Sequence, residues 1–416
     1  MHLTDDEKYM LSDDAPPAVS MAMRVLVGTA ELMGAERLVE VTCAHIDGCL
    51  YYADAGVKFA EKLVELGGRV AVPSSLNVGP LDLQHPDLVL YNPEQRSMAT
   101  RLMNAYVALG CTPSWTCAPY QAGYRPALGE QIAWAESNAI VFANSILGAR
   151  TNRYGDYFDI CAGLTGRAPY TGLHIKENRY ATVLIDVTGL PDALLREETF
   201  YPVLGSWMGR QVGANIAAID GIPRDVPEDW LKALAAASAS TGQVGLFHVI
   251  GVTPEAGTRE EAFNSKDPVT VITADVEQMR VARDKLSTTD SDNIDCVALG
   301  SPHFSLDECQ ALARLCDGRK LQKPLYVCTR HDVYHVLDQS GERAIIENAG
   351  GTFVLGTCVV VTPILKQASG TLMTNSGKFA HYGPSTVNHD VVYGSLEDCV
   401  RSAEAGKVVR NEALWQ

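Results

Sequence analysis

Residues 269–299 read VTVITADVEQMRVARDKLSTTDSDNIDCVAL. A β-branched run at 269–273 has the pattern of a strand. Residues 276–286 carry apolar side chains at helical spacing, and 296–299 is a short apolar run of the buried-strand kind. This strand–helix–strand order predicts a parallel sheet with helices on its faces. Downstream the alternation continues as helix 306–315, strand 325–329, helix 333–339 and strand 352–355. Upstream it reads as helices at 17–34, 55–66, 95–109 and a long one at 129–147. Strand-like runs lie at 38–43, 69–72 and 114–117. A middle stretch has strands at 181–187 and 245–252, helix 230–237 and a polar surface connection over 253–266. The pattern predicts an α/β protein of two or three lobes.

The chain has 416 residues, of which 46% are hydrophobic and 20% charged. That length and balance suit sizeable cores and exclude a disordered chain or a fibre. Lys and Arg number 34 against 50 Asp and Glu, a formal charge of −16. Polyanion binding needs a basic face, so nucleic acid is not an expected partner. No apolar run reaches the roughly 20 residues of a membrane span. The N-terminus, MHLTDDEKYMLSDDAPP, is acidic and lacks the order of a secretory signal. Eleven scattered cysteines with no CxxC pair read as free thiols in a reducing, cytoplasmic setting.

Four polar segments follow strand-like runs, where open α/β sheets bind ligands. TCAHIDGCLYY at 42–52 sets His45, Asp47 and Cys49 around Gly48; a plain Asp-Gly turn with a satisfied histidine is the structural alternative. CTPSWTCAPY at 111–120 holds Cys117 on an irregular stretch. In EQIAWAESNAIVFANSILGARTNR at 130–153, a helical reading places Glu136, Ser137 and Asn138 among apolar neighbours. Such a cluster needs either an internal hydrogen-bond network or a pocket. Arg150, Asn152 and Arg153 could form a fork for a carboxylate. MTNSGKFAHYGP at 373–384 crowds Asn375, Ser376, Lys378, His381 and Tyr382 into one Gly-bearing loop. Neither a Ser-His-Asp order nor a GxGxxG, Walker or HExxH motif is present.

Taken together, LTDDEKYML, CAHIDG, VPSSLN, TCAPYQAGYRPALGEQIAWAESNAIVFANSILGARTNR, ALGSPHFSL, NAGGTFVLGTCVV and MTNSGKFAHYGP closely resemble the large-subunit type of aconitase X, a branch of the aconitase superfamily. The resemblance runs end to end. It implies a three-lobed α/β/α body of mostly parallel sheets, with lobes near 1–180, 181–265 and 266–416. It also implies that the family's small swivel domain is absent from this chain and supplied by a separate small subunit, giving a heterodimer. Members look like iron–sulfur hydro-lyases acting on small hydroxy acids. One group dehydrates cis-3-hydroxy-L-proline to a pyrroline carboxylate; the other dehydrates 5-phosphomevalonate.

By resemblance, Cys117 and Cys358 hold the cluster. The phosphomevalonate type looks to have a cysteine where this chain has Ser301, and Cys296 is the nearest substitute as third ligand. The resemblance assigns Asp47, Gly48, Cys49, Leu50, Asn77, Ser137, Asn138 and Lys378 to the substrate pocket. Ser137, Ser376 and Lys378 are the candidate bases. A phosphate needs a nest of donors, and Gly48-Cys49-Leu50 offers no hydroxyl. With Ser301, that favours the hydroxyproline type. A cluster-carrying regulatory protein and a thiol enzyme using Cys49 or Cys117 are readings of other classes.

Overall fold

A computed structural model describes all 416 residues. They form two compact units, Met1–Leu81 with Tyr91–Tyr180, and Asp82–Leu90 with Ala181–Gln416.

The first unit is built on a three-stranded parallel sheet, with Ala44–Ile46 between Ser74–Leu76 and Ala133–Trp134. All its strand residues are buried, as a parallel sheet covered on both faces requires. The helices Pro17–Leu32, Asp54–Glu65, Pro93–Ala108 and Phe158–Thr165 belong to this unit. Asn92 opens the third through a capping box with Gln95. The expected strands at 69–72 and 114–117 are not formed; the strand lies at Ser74–Leu76. The long helix expected at 129–147 is also corrected. Ala133–Trp134 is taken into the sheet beside Ala44 and His45, so helix begins only at Ser137. It passes into a π-helical turn, Ala143–Leu147, closed by left-handed Gly148.

The second unit contains two all-parallel sheets. One has the order Phe247–Val249, Ala217–Asp220, Val183–Asp186, Thr270–Thr273. The other has the order Gly351–Leu355, Leu325–Thr329, Cys296–Phe304, Gly370–Thr374, His389–Tyr393. The opening stretch, 269–299, therefore feeds two sheets rather than one. Thr270–Thr273 is an edge strand with mostly exposed residues. Cys296–Phe304 is buried at all nine positions and takes the centre of its sheet. The connection over 253–266 is not wholly polar surface: Thr258 and Glu261 cap the helix Arg259–Phe263, which buries Ala262 and Phe263. No helix is long and apolar enough to cross a membrane.

The short segment Asp82–Leu90 is tied to the five-stranded sheet by one buried carboxylate. Asp82 Oδ2 accepts the Leu355 amide at 2.8 Å, and Oδ1 accepts those of Gln84 and His85 at 2.9 and 2.7 Å. This fixes the strand end that leads to Thr357-Cys358. Replacing Asp82 by Ala leaves three amides without their acceptor. The expected loss is about 1–3 kcal/mol of stability for each amide that water cannot reach, measured by denaturant unfolding.

Candidate active site

The loop Asp47–Leu50 leaves the carboxyl end of the central strand of the first unit. Its backbone is held by Asp159, a fully buried residue in the first turn of Phe158–Thr165. Asp159 Oδ2 accepts the amides of Asp47 at 2.6 Å and Gly48 at 3.2 Å, and Oδ1 accepts that of Ile160 at 2.6 Å. Burial, with nearby Asp156, pushes its carboxyl up to about 7, although the three amides oppose the shift. Asn77 Nδ2 donates to Asp47 Oδ1, so the aspartate side chain is oriented as well as its backbone. A Cβ on Gly48 would come within 2.9 Å of the buried Tyr106 hydroxyl, which keeps this position glycine. Cys49 turns inward, its thiol against the carbonyls of Ile46, Asn77 and Val78. Burial drives that thiol far up, so it acts as packing under the loop. Leu50 is half-buried.

The Glu136-Ser137-Asn138 cluster sits at a helix start, not in mid-helix. Glu136 is the N-cap, and its Oε2 accepts the Ala139 amide and Asn138 Nδ2, both at 2.7 Å. Asn138 Nδ2 also reaches the Cys117 carbonyl at 2.6 Å, and Tyr120 donates to Asn138 Oδ1 at 2.6 Å. Both amide hydrogens of Asn138 are thus committed to protein, and the side chain pins the Cys117 segment. Ser137 is different. It stays half-buried, its hydroxyl 3.4 Å from Glu136 Oε1.

In the second unit the carboxyl edge of the five-stranded sheet gathers Ser301, Cys328, Cys358 and Lys378. Cys358 is 3% exposed, yet its pKa falls to about 7. The Cys328 thiol is the largest cause. The Val360 amide, the Lys378 ammonium and the Ser301 hydroxyl also favour the anion, against burial. His303 Nε2 lies 2.9 Å from the Thr357 carbonyl, and burial takes its pKa down to about 3. The neutral ring therefore donates to this carbonyl and anchors the turn before Cys358. Ser376 is a committed group as well: it caps the helix Gly377–Thr386, accepting the Phe379 amide at 3.0 Å, and donates to the Ser301 carbonyl. The expected polar loop at 373–384 is largely this helix.

Cys296 is not brought to this edge. It opens its strand and pairs with Leu372, whereas Cys358 follows the end of Gly351–Leu355. Cys296 to Leu299 is regular strand, roughly 10 Å at about 3.3 Å per residue, and the irregular stretch between Leu299 and Phe304 that carries Ser301 begins only after it. Burial pushes its thiol up to about 12. His45 lies in the sheet core, its Nδ1 2.8 Å from Ser75 Oγ, and burial lowers it to about 4. Asn152 bonds the Thr171 carbonyl and the Leu173 amide, so it braces the chain instead of forming a substrate fork with Arg150 and Arg153. Sequence reading missed Asp159 and Cys328. Asp159 lies outside every predicted element and motif, and Cys328 reads as an apolar residue of a strand.

No three His, Cys, Asp or Glu side chains gather into a metal site. Sulfur does come paired at Cys328 and Cys358, with one thiolate stabilised by neighbouring donors. Such soft anionic donors are what an iron–sulfur cluster takes.

Three family models match in succession: aconitase X first domain over residues 1–177, second domain over 181–284 and third domain over 294–405. The chain belongs to the aconitase X family. It is 40% identical to cis-3-hydroxy-L-proline dehydratase of Pseudomonas aeruginosa over 98% of this chain and 71% of that protein. Identity to the enzyme of the same name from Hypocrea jecorina is 39%, covering 97% and 68%. The phosphomevalonate dehydratase large subunit of Methanocaldococcus jannaschii is 34% identical, over 96% and 100%. The crystal structure of Thermococcus kodakaraensis aconitase X in its holo form superposes with a TM-score of 0.86 at 33% identity, covering 97% and 100%.

Asp159 gives this site a pH signature. The folded chain keeps a proton up to about pH 7 that the unfolded chain loses near its ordinary value of 3.8. Folded protein then binds more protons in that window, so stability falls as pH rises through it. Denaturant midpoints across the window should decline in the wild type, and the slope should be shallower in Asp159→Asn.

Proposed function

We propose that this chain is the large subunit of an iron–sulfur hydro-lyase that dehydrates cis-3-hydroxy-L-proline to a pyrroline-2-carboxylate. The observation that carries the substrate choice is the 47–50 loop. Cys49 is turned in and Leu50 offers no donor, so neither side chain can serve a phosphate. The oriented Asp47 carboxylate suits the ammonium of a cyclic amino acid instead. The 40% and 39% identities to hydroxyproline dehydratases support the same choice.

In this reading Cys358 and Cys117 are cluster ligands. When bound, the cluster supplies a Lewis-acid iron that eases departure of a poor leaving group. The chain's own groups do the rest. Asp47, steadied by Asn77 and by Asp159 beneath it, takes the ring ammonium. The Lys378 ammonium binds the carboxylate, where charge builds up as the α-proton leaves, and fixed donors there lower the barrier. Ser137 takes that proton, with Glu136 placed to accept the hydroxyl's own hydrogen. Loss of the α-proton and the β-hydroxyl leaves an enamine and water; the enamine tautomerises to the pyrroline. Asn138 and Ser376, committed within the fold, position Cys117 and Ser301. Both leave the set of groups that touch substrate.

A small swivel-domain partner completes the enzyme. The resemblance implies it, and the M. jannaschii relative, matched over its full length, is named a large subunit. Eleven free cysteines suit a reducing cytoplasm.

The test is an anaerobic assay of the iron-loaded chain with its partner on cis-3-hydroxy-L-proline and 5-phosphomevalonate side by side. Turnover of the first alone is expected. Turnover of the second alone would reassign the chain to phosphomevalonate, and turnover of neither would favour a regulatory cluster carrier. Asp47→Asn should raise KM for hydroxyproline at least tenfold. Ser137→Ala should lower kcat by about 10²–10⁴, the usual contribution of a proton-transfer group.

A further inference from the structure

We propose that Cys328 is a sulfur ligand to iron beside Cys358, in the role that the sequence assigned to Cys296. This rests on the reading that the chain holds an iron–sulfur cluster at Cys358.

Cys328 stands one residue from the carboxyl end of Leu325–Thr329, paired with Val354 of the neighbouring strand. Cys358 lies in the turn that follows that neighbour. The Cys328 sulfur is brought against the turn that carries Cys358 by the pairing of its strand with Gly351–Leu355 and by its contact with the residue after Cys358. The Val359 amide donates to Cys328 Sγ at 3.4 Å. Amide donation to sulfur is a recurring support of cluster ligands. An inert buried thiol would pack among hydrocarbon. This one sits in a chain of polar contacts at the edge where the sheet binds ligands.

The third strand at this edge is shaped to the same point. Gly300 has φ +85°, and a Cβ there would overlap the Cys328 carbonyl. The chain thus crosses close over Cys328 and delivers Ser301, whose hydroxyl bonds to Cys358. A neutral hydroxyl is a harder and weaker iron donor than a thiolate. Cys328 is the soft donor in direct contact with Cys358, whereas Cys296 opens the opposite end of its strand. On ligation the Cys328 thiol gives its proton to solvent and its sulfur electron pair to iron. The Lys378 ammonium offsets part of the added negative charge.

Cys328→Ser keeps a hydrogen-bond donor for Cys358 but removes the thiolate, so it separates a ligand from a mere neighbour. The wild type, Cys328→Ser, Cys296→Ser and Cys358→Ser would each be reconstituted anaerobically with iron and sulfide. Iron and sulfide per chain, the visible spectrum and the EPR spectrum after reduction would be read, with melting temperature as the folding control. The expected result is a loss of at least half the iron, or a shifted spectrum, in Cys328→Ser and Cys358→Ser, with Cys296→Ser unchanged. A folded Cys328→Ser chain with wild-type iron and spectra, while Cys358→Ser loses both, overturns the assignment and leaves the cluster reading standing. A wild type that takes up no cluster overturns both. Should Cys328→Ser not fold, selenocysteine introduced at position 328 gives a near-isosteric probe. Selenium X-ray absorption should then show an iron neighbour, and its absence in the loaded protein would likewise overturn the assignment.

Discussion

A sulfur anion out of water survives only where donors replace the solvent it has lost. The carboxyl edge of the five-stranded sheet is arranged around that requirement at Cys358. A thiol, an amide, a hydroxyl and an ammonium converge on one side chain that is 3% exposed. Each comes from a different part of the chain. His303 braces the turn from the Cys296–Phe304 strand, Asp82 fixes the strand end before it, and Ser376 links its helix to Ser301. The parallel order of the strands places all these carboxyl ends together, which is why the fold and the site are one arrangement.

The first unit meets the opposite problem with the opposite charge. A loop that presents Asp47 must have its backbone amides satisfied from below, and Asp159 does this with the two oxygens of one carboxyl group. Two amides on one oxygen and one on the other leave the loop little freedom. Burial opposes the ionised form, which is why its pKa rises to about 7. A neutral amide could not replace it cleanly, since its nitrogen would face an N–H. Local stability is given up here to hold geometry, a common exchange at binding loops.

The α/β class, the helices at 17–34, 55–66, 95–109, 230–237, 276–286, 306–315 and 333–339, and the strands at 325–329 and 352–355 were legible from periodicity, whereas helices such as Phe200–Val212 and Leu396–Ala405 were not. Pairing was not. The stretch at 269–299 has the pattern of one βαβ unit, yet its strands lie in separate sheets, because pattern reports burial and not neighbours. Gly377–Thr386 escaped notice because its glycines and Pro384 read as a loop. The motif residues around Cys358 were visible through resemblance. Cys328 was not, since a cysteine within an apolar strand is normally core. Asp159 was hidden because it falls in none of the motifs or predicted elements, and the helix that carries it, Phe158–Thr165, was not anticipated.

The partners a side chain already holds sort the candidate residues better than their motifs do. Cys49, Asn138 and Ser376 stand in the most distinctive segments, but their polar atoms are spent on the protein's own groups. Asp47, Ser137 and Lys378 are half-buried. A group that must exchange partners during a reaction cannot be sealed into a fixed network, because breaking such a bond inside the protein costs what forming it gained. A group that must not move needs that network. The segments around Cys117 and Cys358 are accordingly framed by committed side chains, while the groups suited to an amino acid's charges stay within reach of solvent. It is this division that supports hydro-lyase chemistry over a thiol nucleophile at Cys49, whose sulfur is packed under the loop and held protonated by burial.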